Sequence, residues 1–268
     1  RGTVSPERHK AGDDLIMARD LFRSAAKKQQ TLFNAWLIMN DPLAVELIGE
    51  TGWDCVTIDQ QHGVGGNETL LSCLTAAKAA GLPAIVRVAN NDPGLVGRAL
   101  DAGAQGIMCP LINTVDEAES FVRAVKDPPR GVRSWGPYRA KIGASGDYFK
   151  TANRFTIACP QIETKGALQE LDVILGLKGV DMVCLGPNDL SVALTGRLDI
   201  WAKEVQDAMK DVLAKAREHG VMTLIFCNEI DFAKPRLKEG WDVVAIGTDA
   251  GWLASAAAAT LAAVESSS

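Results

Sequence analysis

The sequence predicts an α/β fold, a single (β/α)8 TIM barrel, and three observations predict it. Eight short apolar runs, mostly β-branched and without strict alternation, recur along the chain, as expected of strands buried on both faces. Eight helix-length segments alternate with them, and parallel strands require such crossovers. No linker rich in Pro, Gly or Ser interrupts the series, and 268 residues is an ordinary length for one barrel. An open doubly wound sheet would place a glycine fingerprint after its first strand. Here that turn reads Ile38-Met39-Asn40-Asp41-Pro42.

Residues 1–14 are polar, unpatterned and free of a signal-peptide apolar core. They are expected to be a mobile or artificially added lead, with the barrel domain spanning 15–268. The basic patch from Arg23 to Lys28 reads as the solvated face of an N-terminal helix. The first strand is expected at 32–37, followed by a helix over 41–51 that has Pro42 near its opening. The second strand, 55–59, leads to a helix over 67–80 with Asn67 as its cap and Leu70, Leu71, Leu74 and Ala77 on one face. Strand 84–88 precedes a helix over 92–102 that begins Asp92-Pro93-Gly94. Strand 106–109 precedes a helix over 114–126, whose Thr114 and Glu117 form a capping box. Strands at 156–162, 182–185, 221–226 and 243–246 are followed by helices at 164–175, 200–218, 229–239 and 254–265. Between the fourth helix and the fifth strand lies an irregular stretch, 127–150, that carries Arg133, Trp135, Tyr138 and Arg139. Loops of that size are usually functional or disordered, and a substrate-covering role is expected.

Composition narrows the function classes. The chain is 47% apolar with a formal charge of −5, and no stripe of Lys and Arg alternates with aromatics, so nucleic acid is not an expected partner. No apolar run approaches the roughly 20 residues that span a bilayer. Six widely spaced cysteines lack any C-x-x-C pair. They read as small buried hydrophobes in a reducing cytoplasm, not as a disulfide frame or a zinc site.

The chemistry is expected at the strand ends, where a barrel places its active residues. Glu163 ends the fifth strand and Asp189 follows the sixth. Two carboxylates on neighbouring strands make a hard-oxygen site for Mg²⁺ or Mn²⁺, with Co²⁺ a third candidate. Asp59, Gln61 and His62 follow the second strand, and Arg87 lies in the third. An ordinary loop histidine is the plain alternative for His62, against acid–base work. Arg87 in an apolar strand needs an anion: Asp59, Asp101 or a substrate carboxylate. Asp101, just before Ala102-Gly103-Ala104, reads equally as a surface partner of Arg98 or as a functional group. Gln61 offers an amide able to orient water, and the turn Gly186-Pro187-Asn188-Asp189 presents backbone N–H groups that can hold a carboxylate.

Five segments resemble the HpcH/HpaI aldolase family. They are Ile58-Asp59-Gln60-Gln61-His62-Gly63, Pro83-Ala84-Ile85-Val86-Arg87-Val88, Leu100-Asp101-Ala102-Gly103-Ala104, Pro160-Gln161-Ile162-Glu163-Thr164 and Leu185-Gly186-Pro187-Asn188-Asp189. They fall in the right order, and the resemblance runs from about residue 33 to 250. It implies a barrel of the phosphoenolpyruvate/pyruvate type and a metal-dependent class II pyruvate aldolase acting on a 2-oxo acid and an aldehyde. It also implies a homohexamer, a trimer of dimers, whose last helix packs on a neighbouring barrel. By the same resemblance, Glu163 and Asp189 hold the metal, His62 and Asp101 form the acid–base pair, and Arg87 stabilises the enolate. Gln161, Pro187, Asn188 and Asp189 match substrate-binding positions, while Asp59 and Gln61 lie behind the reacting groups. Many members carry Glu where this chain has Gln61, which removes one carboxylate near the metal. The segment Arg133-Ser134-Trp135-Gly136-Pro137-Tyr138 also differs from a plain Arg-Gly segment and leaves the aldehyde open.

No lysine follows a strand in these segments, which argues against Schiff-base chemistry. Two alternatives remain open at this level. One is a related carbon–carbon lyase, either an oxaloacetate decarboxylase or a citryl- or malyl-CoA lyase. The other is a catalytically silent barrel acting as an assembly protein.

Overall fold

Eight parallel strands close into a barrel in strict sequence order. The structure, a computed structural model, describes residues 18–143 and 147–266, so the lead expected over residues 1–14 lies outside the described residues. The chain opens with helix α1 (Ala18–Lys27), then β1 (Leu32–Leu37), α2 (Pro42–Gly49), β2 (Cys55–Asp59) and α3 (Asn67–Ala79). It continues through β3 (Ala84–Arg87), α4 (Pro93–Asp101), β4 (Gly106–Ile112), α5 (Val115–Val125) and α6 (Tyr148–Phe155). Next come β5 (Ile157–Ile162), α7 (Lys165–Gln169), α8 (Leu171–Gly176), β6 (Met182–Leu185) and α9 (Pro187–Thr195). The last elements are α10 (Lys203–Glu218), β7 (Met222–Cys227), α11 (Ile230–Glu239), β8 (Val243–Thr248) and α12 (Asp249–Glu265).

Alternation along each strand sorts side chains into two apolar layers. One lies between strands and helices and includes Val56, Ile58, Val86 and Ile107. The other fills the barrel lumen with Leu32, Trp36, Cys55, Ile85, Met108, Cys159, Met182, Cys184 and Leu224. Phe22 and Ala25 of α1 join the lumen cluster and close the barrel at the end where the strands begin. Arg23, expected on a solvated face, is instead drawn inward, because Asp181 accepts from its Nη2 at 2.9 Å and also from the buried Lys126 Nζ at 2.6 Å. All six cysteines are free and buried; burial pushes the Cys55 thiol up to about 12. Among the described residues, no helix is long and apolar enough to cross a membrane.

Helix caps follow the sequence where a side chain can reach the first turn. Asp41 caps α2, Asp92 caps α4, and Thr114 with Glu117 completes the capping box of α5. Asn67, expected as a cap, is instead the first helical residue of α3, and Gly66 precedes it. The expected helix over 164–175 is broken into α7 and α8 at Glu170, whose carboxylate accepts from Val115 N at 2.5 Å. The segment from Gly186, expected as a turn, is the opening of α9 with Pro187 at its first position.

The described residues between α5 and α6, 127–143 and 147, lie where strands begin, opposite the strand ends. Arg139 Nη1 donates to Ala102 O and Lys78 Nζ to Ile142 O, both beyond or near the far ends of α4 and α3. Within one chain its described residues do not cover the site, which corrects the expected role. A loop that follows a helix returns to the strand starts.

Candidate active site

The C-terminal ends of β2, β3, β5 and β6 surround a cavity of about 240 Å³, bordered by Asp59, His62, Arg87, Gln161 and the segment 186–189. Asp59 and Arg87 are neighbours in register, and their side chains point into the lumen. Arg87 Nε donates to Asp59 Oδ1 at 2.9 Å and Nη2 to Oδ2 at 2.5 Å, a two-point fork. This settles which of the three possible anions Arg87 meets within the chain. Burial alone would raise the Asp59 carboxyl. The hydrogen bonds and charge of Arg87, with Gln61 N–H and Trp36 Nε1–H, hold it below the usual carboxylate value. Asp59 Oδ1 also accepts from Gln61 N at 2.9 Å and His62 N at 3.3 Å, so the same carboxylate shapes the turn that carries the histidine. His62 is exposed at the cavity mouth, and its ring has no hydrogen-bond partner among the described residues.

Glu163 follows β5 and is 2% exposed. Its Oε1 accepts from Leu111 N at 2.8 Å and its Oε2 from Gln161 Nε2 at 2.6 Å. Leu111 meets it only because β4 breaks register after Cys109 and Leu111 adopts a φ of 56°. Burial pushes the Glu163 carboxyl up to about 7, and the negative charge of Asp189 adds to the rise. Leu111 N–H, Arg87 and Gln161 oppose it. Asp189 sits in the first turn of α9 and is exposed, so the two carboxylates differ sharply in surroundings.

Gly186 is the residue that lets the strand ends come together. A Cβ there would stand 2.2 Å from Glu163 Oε2 and 2.6 Å from Gln161 Nε2. Gln161 Oε1 is buried without a hydrogen-bond partner. A desolvated acid of raised pKa, a second carboxylate nearby and an orphaned amide oxygen form an all-oxygen set that fits a hard divalent cation. Among the described residues no three His, Cys, Asp or Glu side chains gather to enclose a metal. An ion held by this pair would therefore keep positions open for other ligands.

Asp101 is not brought to His62 within the chain. It ends α4, on the strand-start end of the barrel, and its Oδ1 accepts from Arg133 Nη2 at 2.8 Å. Its partner is thus Arg133 rather than Arg98, and the expected contact with the histidine is absent inside one subunit. Pro187 and Asn188 border the cavity with Asp189, and Gln61 has a buried amide oxygen with no hydrogen-bond partner.

Four cavity residues were not singled out from sequence: Trp36, Ile38, Phe226 and Thr248. Trp36 Nε1 donates to Asp59 Oδ2 at 3.3 Å, and its ring lies 4.9 Å from the Arg87 guanidinium and 4.9 Å from the Phe226 ring. The signal was present in strand alternation, since Trp36 and Phe226 share the inward parity of Leu32 and Leu224.

Comparison with known proteins agrees with this geometry. The family model for HpcH/HpaI aldolase/citrate lyase matches residues 32–256. A hydroxypyruvate/pyruvate aldolase of Rhizorhabdus wittichii is 34% identical over 229 residues, covering 85% of this chain and 91% of the relative. A 5-keto-4-deoxy-D-glucarate aldolase of Shigella boydii is 30% identical over 237 residues, covering 88% and 92%. The crystal structure of an HpcH/HpaI aldolase/citrate lyase family protein from Burkholderia cenocepacia superposes with a TM-score of 0.86 at 32% identity, over 92% of this chain and 99% of that one. With the family model spanning the whole barrel and relatives of this identity along most of their length, the chain belongs to the HpcH/HpaI aldolase/citrate lyase family of carbon–carbon lyases.

Proposed function

We propose that the protein is a divalent-metal-dependent class II aldolase that cleaves 4-hydroxy-2-oxo acids to pyruvate, or a close 2-oxo acid, and an aldehyde. The observation that carries the reading is Glu163: a carboxylate buried beside a second carboxylate, with its pKa pushed up to about 7 and no cationic partner in hydrogen-bond contact. Such a group is costly unless a cation neutralises it. Glu163 and Asp189 would hold Mg²⁺, Mn²⁺ or Co²⁺, which when bound supplies Lewis-acid polarisation of the keto group. The chain's own groups account for the rest. Arg87, fixed by Asp59, directs its remaining N–H and its charge to where negative charge develops on the 2-oxo acid, in a site shielded from water. Gln161 and the first-turn N–H groups of α9 at Asn188 and Asp189 orient the substrate carboxylate, while Pro187, which has no N–H, borders the pocket. His62 takes the proton of the 4-hydroxyl group at a ring nitrogen as the carbon–carbon bond breaks. Gln61 orients water beside it.

The pairing of His62 with Asp101 requires a second copy of the chain, since one subunit keeps them at opposite barrel ends. A homohexamer would supply that second copy. From Leu253 onward α12 is exposed all round, including Leu253, Leu261 and Val264, which suits a helix packed on a neighbouring barrel.

The decisive experiment is pyruvate release from aldols of succinic semialdehyde, tartronate semialdehyde and glyceraldehyde. The protein is used as purified, after EDTA treatment, and after Mg²⁺ or Mn²⁺ is restored. Release that stops with EDTA and returns with metal is expected. An EDTA-treated protein that retains the original rate would exclude the metal assignment, and a protein inactive on every aldol would exclude the reaction.

A further inference from the structure

Asp249 is the first residue of α12, yet its carboxylate turns back into the barrel rim and is 6% exposed. Its Oδ1 accepts from Ile38 N at 2.9 Å and its Oδ2 from Met39 N at 3.1 Å, in the turn between β1 and α2. That turn is in turn fastened to the loop carrying His62 at two points. Val64 N donates to Ile38 O at 2.9 Å. Asn40, buried and held at a φ of 54°, donates from Nδ2 to Asp59 O at 3.0 Å, while its Oδ1 accepts from Gln60 Nε2 at 3.1 Å. His62 lies between these two fastenings. The approach is tight, since a Cβ on Gly63 would stand 2.3 Å from Asn40 Nδ2 and one on Gly65 would stand 2.5 Å from Asn40 Cβ.

Within one subunit the imidazole has no hydrogen-bond partner among the described residues, so there its place over the cavity is set by its backbone. Asp59 fixes that backbone from the lumen side through Gln61 N and His62 N. The other side rests on the β1–α2 turn, and that turn rests on Asp249. We propose that Asp249 is a positioning residue for His62, acting through Ile38, Met39 and Asn40. It thereby couples the seat of the terminal helix to the acid–base group. The catalytic part of this inference rests on the aldolase reading; the structural part does not.

The test uses the full chain carrying Asp249→Ala, the milder Asp249→Asn, and Asp54→Ala as control. Asp54 makes the same kind of contact, accepting from Phe33 N, near the start of β1, away from the strand ends. Hydrogen exchange of the peptide covering 60–65 is measured first. Asp249→Ala should accelerate exchange there, with Asp249→Asn intermediate because it keeps one acceptor oxygen, and Asp54→Ala should leave it unchanged. Unchanged protection in Asp249→Ala overturns the proposal whether or not the protein is an aldolase. Cleavage rates come second. Asp249→Ala should lower kcat roughly ten- to a hundredfold, the usual scale for a displaced catalytic group, with KM for the 2-oxo acid little moved. In a His62→Ala background it should cost little more, because the group it positions is gone. A full second loss in that background would show that Asp249 acts on the fold rather than on His62. A wild-type protein without cleavage activity would sink the aldolase reading, and the exchange result would then decide the positioning alone.

Discussion

Arg87 grips Asp59 at two points inside the barrel lumen, Nε to Oδ1 at 2.9 Å and Nη2 to Oδ2 at 2.5 Å, with the pair 8% and 0% exposed. The fork leaves only part of the guanidinium free to face the cavity and fixes the plane in which it does so. Trp36 completes the grip from the first strand, by a hydrogen bond to Asp59 and ring contact with Arg87.

Arg87→Lys keeps the charge but loses this plane. On the proposed reaction kcat should fall for every aldol tested, because the lost contact serves the 2-oxo acid half common to all of them. Steady-state rates on three aldols check this, and a loss confined to one aldehyde would move Arg87 to the acceptor side. Arg87→Ala should also destabilise the fold by about 3–5 kcal/mol, since it leaves Asp59 charged and unpaired in the interior. Urea unfolding measures that cost.

Glu163 ties stability to pH in the opposite sense from a salt-bridged acid. Its folded pKa, about 7, lies above the ordinary 4.5, so the native state binds the extra proton between those values. Metal-free protein should therefore lose about 3 kcal/mol as pH rises from 4.5 to 7, and be fully stabilised only below that window. Glu163→Gln should flatten this slope and raise Tm at pH 8 while abolishing metal binding. Thermal melts of both proteins across pH 5–8, with and without Mn²⁺, separate the effect from other titrations. Identical slopes would refute it.

Gly186→Ala tests the close approach of β6 to β5. The backbone φ of −99° suits alanine, so the change acts by space alone, with the new Cβ driven into Glu163 Oε2 and Gln161 Nε2. Mn²⁺ affinity should drop roughly tenfold or more, the scale for displaced supporting groups of metal ligands. Calorimetric titration reads it, and unchanged affinity would place the metal elsewhere.

His62→Ala should remove most aldol cleavage, by about 10²–10⁴-fold. Oxaloacetate decarboxylation should suffer less, because no hydroxyl proton is lost in it. Equal losses in the two assays would mean that His62 serves binding in general.

The parts of the fold legible in the sequence are those governed by one dominant force. β1, β2 and β6 match their expected bounds residue for residue; β2 and β6 are buried throughout and β1 at all but Phe33, which keeps the strand signal strong. Glu163, Arg87, Asp59 and His62 could be placed at the rim because a strand end fixes its own location. What failed depended on partners distant in sequence. Glu170 breaks a helix by reaching Val115, and Arg23 is drawn to Asp181. Asp101 lies in a segment whose spacing says nothing about barrel end, yet a residue that closes a helix must lie opposite those that close strands. Asn40 and Asp249 carry no local signal, since their work is done on backbone from other turns. The helix at Pro187 was readable, for proline commonly opens a helix.

Phe22 and Ala25 fill the far end of the lumen, so the cavity can be reached only from the rim. Arg87 and Gln161 are buried groups lining that space, with Glu163 buried beside Gln161, while His62 and Asp189 are its exposed lining residues. Traffic is then single file. On the proposed reaction, the aldehyde is expected to leave first and the 2-oxo acid last in cleavage, with the order reversed in synthesis. Pyruvate should accordingly inhibit competitively against the aldol and the aldehyde non-competitively, a kinetic sequence that follows from a lumen packed shut beneath the rim.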